Sequence, residues 1–147
     1  MAKMLLEIIT AEKVAYSDEV EAVLVPGIEG ELGILSHHAS LMTTLMPGEL
    51  MIRKGGEENY LAISGGFVEV MNNKVIVLAD AAERSDEINE ERAREAMKRA
   101  EERVSGKEAD VDLERAMAQL RRATVRLNVA RRRGARSVSQ QSRTYEG

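Results

Sequence analysis

The hydrophobic pattern of this chain changes period at Asp86. Before Asp86, short runs of Val, Ile and Leu are separated by Gly, Pro and Asn, as is typical of strands joined by turns. Eight of the eleven glycines and both prolines lie in this first part. After Asp86, apolar residues recur at steps of three and four between Glu and Arg, which is the period of an amphipathic helix. The chain is therefore predicted to be of the α+β class, with its strands and helices segregated.

Six runs in residues 1–85 are predicted to be strands of an antiparallel β-sandwich or barrel. They cover residues 4–10, 20–25, 49–53, 59–64, 67–71 and 74–79. The pair Asn72-Asn73 lies between the last two runs and predicts a two-residue hairpin turn, because Asn tolerates the left-handed conformation. The sequences Val25-Pro26-Gly27 and Met46-Pro47-Gly48 predict tight reversals, since Pro presets φ and Gly supplies positive φ.

Residues 86–134 are predicted to form an antiparallel αα-hairpin, with helices over 87–104 and 112–133 and a break at Ser105-Gly106. Asp110 or Asp112 is expected to cap the second helix. The predicted inner faces are Ile88, Arg92, Ala96, Met97, Ala100 and Val104 on the first helix, and Leu113, Ala116, Met117, Leu120, Ala123, Thr124 and Leu127 on the second. Ala side chains bury little area, so the hairpin is expected to close weakly. Residues 135–147, rich in Ser, Gln and Arg, are predicted to be a disordered tail.

The charge of the chain is divided between its two halves. Residues 1–85 hold 6 basic and 13 acidic residues, a net charge of −7, whereas residues 86–147 hold 15 and 12, a net charge of +3. From Arg115 onward there are 9 basic residues against Glu146. This division predicts two partners of different sign, or one half folding onto the other.

Several classes of function are disfavoured by the residue types present. The chain has no Cys, which excludes thiolate metal sites and fits a reducing compartment. No apolar run approaches the ~18 residues of a membrane span. His37 and His38 are adjacent and point to opposite faces of an extended segment, with no third ligand near them, so no metal site is predicted. Since no Ser-His-Asp set or carboxylate pair can be assembled either, the chain is not expected to be an enzyme.

The arginines of the predicted second helix leave more than one interpretation open. The basic stretch over residues 115–143 is compatible with a regulator that binds RNA or DNA, although no aromatic residues are interleaved with it. Alternatively, Arg122 and Arg126 face Arg92 and Arg99 across the closed hairpin. Four cations so placed would repel one another unless an anion such as a nucleotide triphosphate lay between them. The same arginines could also dock on an acidic protein surface.

Several motifs occur in an order that is similar to one known family. They are Val25-Pro26-Gly27 with Gly30 and Gly33-Ile34-Leu35, His38-Ala39, Leu41 and Leu45 with Pro47-Gly48, Ser64-Gly65-Gly66-Phe67-Val68-Glu69-Val70, Val77-Leu78-Ala79-Asp80 and the charged helical hairpin. In this order they resemble the epsilon subunits of bacterial F-type ATP synthases, over about residues 3–133. Ser40 stands where that family usually has Pro, and the turn is expected to survive this change.

The resemblance implies a ten-stranded sandwich, no catalytic site and a place in the rotor. The sandwich would lie between the gamma subunit and the c-ring, with His38 at or near the gamma contact and Glu31 on a loop that meets the c-ring. The hairpin would lie folded or extend toward the catalytic alpha and beta subunits, where it restrains ATP hydrolysis. The expected location is the cytoplasmic face of the bacterial plasma membrane, peripherally bound, with no direct membrane insertion and no nucleic-acid partner.

A narrower implication concerns ATP, which some bacterial members bind on the folded hairpin through an Ile-Asp-x-x-Arg-Ala motif. Ile88, Arg92 and Ala93 match that motif, and Asn89 replaces its Asp. The further residues implied are Glu83, Arg99, Arg122 and Arg126. Asn accepts a hydrogen bond but carries no charge, so a changed affinity is expected. The resemblance thus leaves ATP as a candidate regulatory ligand, with no cofactor required.

Overall fold

The computed structural model of the chain describes residues 2–106 and 112–145. It divides into a strand unit, Met1–Arg84, and a helical unit, Ser85–Gly147. The strand unit contains β1 Met4–Ile9, β2 Val14–Val20, β3 Ala22–Gly27, β4 Gly30–Leu35, β5 Leu41–Leu45, β6 Gly48–Lys54, β7 Glu57–Ile63, β8 Gly66–Met71, β9 Lys74–Ala79 and β10 Ala82–Arg84. The helical unit contains α1 Glu90–Val104 and α2 Leu113–Tyr145. The predicted α+β class, with a ten-stranded sandwich followed by two helices, is confirmed.

The ten strands form one continuous sheet made of two five-stranded layers, which are joined in the strand order through β3 and β5. One layer has the order β10-β7-β6-β3, with β4 on the free side of β3, and the other has the order β5-β8-β9-β1-β2. The link between them is a single pair, Gly27 with Leu45. The pairs are antiparallel except that β1 runs parallel to β9. Since so few pairs join the layers, the inward faces of the strands must hold them together.

Alternating apolar residues build the core between these layers. Met4, Leu6 and Ile8 of β1 are buried, while the residues between them are half-buried. Along β8, Val68 and Val70 point inward. The largest fully buried side chains of the strand unit are Leu6, Ile8, Ile34, Leu50, Ile52, Leu61, Ile63, Val20, Val23, Val25 and Val68. The aliphatic content of the sequence thus suffices for a core without aromatic residues.

Four strands lie outside the six runs predicted from the residues: β2, β4, β5 and β10. They are polar, Gly-containing or short, so their propensity for strand is weak and their pairing with longer neighbours decides their conformation. The predicted reversal at Val25-Pro26-Gly27 is wrong. Pro26 and Gly27 belong to β3, and the chain turns at the next two residues before Gly30, whose φ is 124°.

The predicted turn at Asn72-Asn73 is confirmed, with φ values of 51° and 60°. Both residues are left-handed, as a type I′ hairpin requires. Position 48 requires glycine because the backbone there passes close to Pro26. An added Cβ would lie 2.6 Å from Cβ of Pro26. The Asn72-Asn73 turn thus joins β8 to β9, and the close approach at Gly48 lets the start of β6 lie against Pro26 of β3.

The two helices run antiparallel. Near the end of α1, Nη1 of Arg103 donates to Oε1 of Gln119 at 2.9 Å, whereas Glu90 at its start lies 3.8 Å from Arg131. Asp112 caps α2, as predicted, by accepting from the backbone N–H of Glu114 at 3.1 Å. The alternative cap, Asp110, lies outside the described residues.

The helix faces differ in part from the prediction. Ala93, rather than Arg92, is buried in α1, and Leu113 is 56% exposed at the start of α2. In the structure α2 continues past the predicted end at Arg133 to Tyr145, through the region expected to be a disordered tail. A single Gly in a helix costs about 1 kcal/mol, which neighbouring helix formers can offset, so Gly134 does not stop it. The remaining residues of that tail, 146–147, lie outside the description.

Candidate functional site

A groove in the helical unit brings together four arginines. Arg99 and Arg103 of α1 and Arg122 and Arg126 of α2 line it, with Gln119 and three alanines, Ala96, Ala100 and Ala123. The cavity measures about 380 Å³. We call this set of eight residues the arginine groove. Small alanine side chains let the two helices approach, while the long arginine side chains form its polar lining.

The groove unites Arg99, Arg122 and Arg126, three of the residues predicted to bind nucleotide. It also contains Arg103 and Gln119, which the sequence analysis missed. A signal for both was present, because Arg103 follows Arg99 by four residues and Gln119 precedes Arg122 by three, spacings that put each pair on one helix face. The hydrogen bond from Arg103 to Gln119 at 2.9 Å fixes one guanidinium group at the side of the groove.

Asn89 is the N-cap of α1. Its backbone is extended, with φ −79° and ψ 113°, and its side-chain Oδ1 accepts a hydrogen bond from the backbone N–H of Arg92 at 2.9 Å. Asn and Asp commonly cap helices in this way, because the first four backbone N–H groups of a helix lack partners within the helix. Asn in place of Asp therefore preserves the geometry of the helix start without the negative charge.

The other residues of the predicted nucleotide set do not line the arginine groove. Ile88 is 2% exposed and Ala93 is 0% exposed, so both are packed in the interior. Arg92 lies on the first turn of α1, and Glu83 lies in β10 of the strand unit. Their part in ligand binding stays a prediction.

The strand unit carries Glu31 and His38 at opposite ends of one segment. Glu31 is exposed on β4, and His38 lies just beyond the end of that strand. The four steps of extended strand from Glu31 to Leu35 span roughly 13 Å at ~3.3 Å per residue. A turn follows, in which the His38 N–H donates to the Leu35 carbonyl at 3.1 Å. Nδ1 of His38 donates to the backbone carbonyl of Ala39 at 2.7 Å, which holds the ring against its own loop.

Asn73 fastens the loop that contains His38, residues 36–39, which we call the histidine loop. Oδ1 of Asn73 accepts from the backbone N–H of His37 at 2.8 Å and from the Ser36 hydroxyl at 3.3 Å. Its Nδ2 donates to the carbonyl of Lys3 at 2.9 Å. His37 itself is left-handed, with φ 65°. A non-Gly residue in that conformation needs external support, and the Asn73 side chain supplies it.

An apolar face covers the outer side of β5, β8 and β9. Met42, Phe67, Met71 and Leu78 are 68%, 54%, 50% and 52% exposed. Phe67 lies directly opposite Leu78, and Met42 lies opposite Glu69, so all four side chains share one side of the layer. We call these four residues the apolar face. Glu69 shares this side of β8 and lies between Phe67 and Met71, so the face surrounds one carboxylate with large apolar side chains. Exposed apolar side chains grouped in this way are typical of a docking surface.

Within residues 2–106 and 112–145, no group of three or more His, Asp or Glu residues is placed to hold a metal ion. None of the helices there combines the length and apolar character needed to span a bilayer.

Two family models match consecutive parts of the chain. The model for the ATP synthase delta/epsilon chain beta-sandwich domain matches residues 3–85, and the model for the long alpha-helix domain of the same chain matches residues 86–131. The chain belongs to the ATP synthase delta/epsilon family. Among curated relatives, the ATP synthase epsilon chain of Dehalococcoides mccartyi is 53% identical over 134 residues, covering 90% of this chain and 96% of its own length. That of Herpetosiphon aurantiacus is 52% identical over 128 residues, covering 87% and 94%.

Solved structures agree with this assignment. A chain in the mitochondrial ATP synthase of Euglena gracilis, in a structure of OSCP, F1 and the c-ring, matches with a TM-score of 0.76 at 25% identity, covering 88% of this chain and 82% of that one. A chain in the structure of the Tetrahymena thermophila mitochondrial ATP synthase central stalk and c-ring shares the fold, with a TM-score of 0.57 at 21% identity. The match covers 86% of this chain and 93% of that one.

As a family member the chain is an epsilon-type subunit of an F-type ATP synthase, which is noncatalytic and belongs to the central stalk. The F1 part of that enzyme is peripheral to the membrane. The matches support this interpretation over the alternative of a nucleic-acid-binding regulator acting through residues 115–143.

Proposed function

We propose that this chain couples the c-ring to the gamma subunit through its strand unit and restrains ATP hydrolysis through its helical unit. The coupling role is supported by the apolar face of β5, β8 and β9. Four large apolar side chains exposed to water do not stabilise the strand unit, whereas a docked partner would bury them. The complex would act at the cytoplasmic face of the bacterial plasma membrane.

Gamma is the proposed occupant of the apolar face. The histidine loop ends one residue before β5, and His38 precedes Met42 of the apolar face by four residues. Glu31, at the other end of β4, is proposed to meet the polar loops of the c-ring. Because the two residues lie at opposite ends of one strand, the strand unit can contact both partners at once.

The helical unit is proposed to be the inhibitory element. The buried residues of α1 are Ala93 and Ala100, and those of α2 whose side chains are described are Ala116, Ala123, Leu127, Val129 and Ala130. Because five of these seven residues are alanines, the helices bury less apolar area than leucine-rich helices would, at ~25 cal/mol per Å², and a second arrangement of the helices lies within reach of a ligand or partner. In the extended arrangement, the arginines of α2 would engage acidic surface on the catalytic alpha and beta subunits.

ATP is proposed to favour the closed hairpin by binding in the arginine groove. A ligand at 100 times its dissociation constant stabilises the state it binds by about 2.7 kcal/mol, enough to tip a balanced equilibrium. Amide hydrogen exchange of the full chain tests this. Millimolar ATP is expected to slow exchange over residues 88–126, and unchanged exchange would remove nucleotide regulation while leaving the rotor role intact.

The coupling role is tested by affinity purification of the tagged full chain from native membranes under mild detergent. Gamma and the c-ring are expected to copurify in a fixed ratio to the bait. Recovery of the chain without either partner would contradict the rotor proposal, and recovery with RNA or DNA would restore the nucleic-acid alternative.

A further inference from the structure

We propose that the partner docked on the apolar face presents an arginine or lysine side chain to Glu69. This inference rests on the proposed docking of gamma there, and it goes further by giving the chemistry that gamma must bring to the contact. Glu69 is the acidic residue within that face, and its surroundings carry the inference.

Glu69 lies among apolar side chains on the outer side of β8. Phe67 and Met71 are two residues before and after it on the same strand, where side chains on one side stand roughly 7 Å apart. Met42 of β5 and Ile76 of β9 lie directly opposite it, at the ~5 Å spacing of cross-strand pairs. The neighbours of this carboxylate along its strand and across both adjacent strands are therefore apolar.

The carboxylate of Glu69 has no hydrogen-bond or ion-pair partner among the side chains that the structure describes. Lys74 is on the same side of the layer, opposite Met71, but its Nζ lies 3.5 Å from Oε1 of Glu7 on β1. Water solvates Glu69 in the undocked chain, because the side chain is only half-buried. A partner that covers its apolar neighbours would remove that water.

An arginine or lysine on the partner compensates for the loss of water. An ionised carboxylate is far more costly to bury than a neutral polar group unless an opposite charge and hydrogen bonds accompany it. A guanidinium group meets a carboxylate in a two-point contact, and an ammonium group meets it as a point charge. Since such a pair must align on docking, Glu69 is expected to fix the orientation of gamma on an otherwise apolar surface.

Surface-capture affinity of the full chain for purified gamma tests this with matched variants. Glu69→Gln and Glu69→Leu are both expected to weaken binding by about tenfold or more, because each leaves the cation of gamma buried without its carboxylate. Glu57→Gln removes the same charge from an exposed position on β7 of the other layer, and its affinity is expected to stay within about twofold of wild type. Equal losses in Glu57→Gln and Glu69→Gln would overturn the assignment to a direct contact.

The direction of the change in Glu69→Leu decides whether gamma supplies a cation. Leucine adds apolar surface to the face, so an interface without a cation at this point would bind the variant more tightly. An interface with a cation there would bind it more weakly. Unchanged or tighter binding of Glu69→Leu would therefore overturn the inference.

Lys74 is the alternative source of positive charge within the chain. On docking it would have to exchange Glu7 for Glu69, and the loss caused by Glu69→Leu would then disappear in a Lys74→Gln background. An undiminished loss in that background supports a cation supplied by gamma. Its disappearance would assign the cation to this chain and overturn the inference.

Phe67→Glu separates this inference from the docking proposal beneath it. Weaker binding of Phe67→Glu together with unchanged or tighter binding of Glu69→Leu would leave gamma on the apolar face and overturn only the cation. Wild-type affinity in both variants would contradict the docking proposal as well.

Discussion

The side-chain oxygen of Asn89 accepts a hydrogen bond from the backbone N–H of Arg92 at 2.9 Å, and this bond begins helix α1. The same residue occupies the position at which the resemblance expects Asp in a nucleotide motif. Asp and Asn are equally good caps, so the exchange between them alters charge and leaves the helix start in place. Substitutions at position 89 can therefore change the charge available to a ligand without removing the cap of α1.

Asn89→Ala is expected to destabilise the helical unit by about 1 kcal/mol, because the N–H of Arg92 loses its acceptor. Asn89→Asp keeps the acceptor and adds negative charge near the positive end of the helix dipole, which contributes about 0.3–1 kcal/mol of stabilisation. Helix content followed by circular dichroism during urea unfolding measures both. Equal stability of wild type and Asn89→Ala would show that the cap does not hold α1.

The start of α1 illustrates what could be predicted from the sequence. The hydrophobic pattern changes period at Asp86, and the structure divides the chain between Arg84 and Ser85. Strands β2 and β4 were not predicted, because their conformation depends on pairing with neighbours distant in sequence. The continuation of α2 through Gly134 escaped notice because Gly is a weak stop inside an otherwise helix-forming segment.

Asn73→Gly should release the histidine loop while leaving the β8–β9 turn intact. Glycine accepts the left-handed conformation of Asn73 without strain, so this substitution removes only the side-chain bonds to Ser36, His37 and Lys3. Amide exchange of His37 is expected to accelerate by about tenfold or more. The matched substitution Asn72→Gly, in the same turn, should leave His37 unchanged, and faster exchange in both variants would place the effect in the turn instead.

Phe67→Glu should weaken binding to gamma by about tenfold or more, because it places a charge opposite Leu78 in the apolar face, where docking would bury it. Leu113→Glu makes the same chemical change at an exposed apolar residue of the helical unit and is the matched control. Surface-capture affinity for purified gamma measures both. Wild-type affinity in Phe67→Glu would mean that gamma docks elsewhere.

Asp18→Asn should make the stability of the strand unit less dependent on pH in the acid range. The hydrogen bond from Lys54, between β2 of one layer and β6 of the other, and a further one from the backbone N–H of Glu19 lower the pKa of Asp18 below its ordinary value of 3.8. The stabilising effect is complete above pH 3.8 and is lost as the pH falls through the lowered pKa of the folded state.

Melting temperatures at a series of pH values provide the measurement. At pH 7 the Asp18→Asn variant is expected to melt below wild type, and the two curves should converge at pH values below 3.8. The ion pair with Lys54 also raises the pKa of that amine, so its contribution disappears again in strong alkali, above 10.5. A constant difference between the two proteins at every pH would show that the loss has a cause other than charge.

The candidate site was predictable in part for physical reasons. Arg99, Arg122 and Arg126 line one groove, because helical spacing fixes the face that each residue occupies, whereas Arg92 does not line it. The role of these arginines in nucleotide binding stays a prediction. The burial of Ile88 and Ala93 could not be read from the motif, since a ligand contact and a packing contact both favour apolar residues there. The apolar face was missed because alternation in a strand indicates two faces without telling which of them meets the core.

Removal of α2 is the sharpest test of whether the helical unit restrains ATP hydrolysis. Ending the chain after residue 109 deletes α2 and retains every strand. ATP hydrolysis by the assembled enzyme is expected to rise about fivefold or more with the truncated subunit, while the truncated chain still copurifies with gamma. Unchanged hydrolysis in an enzyme that retains the truncated subunit would contradict the inhibitory role and leave the chain as a coupling subunit alone.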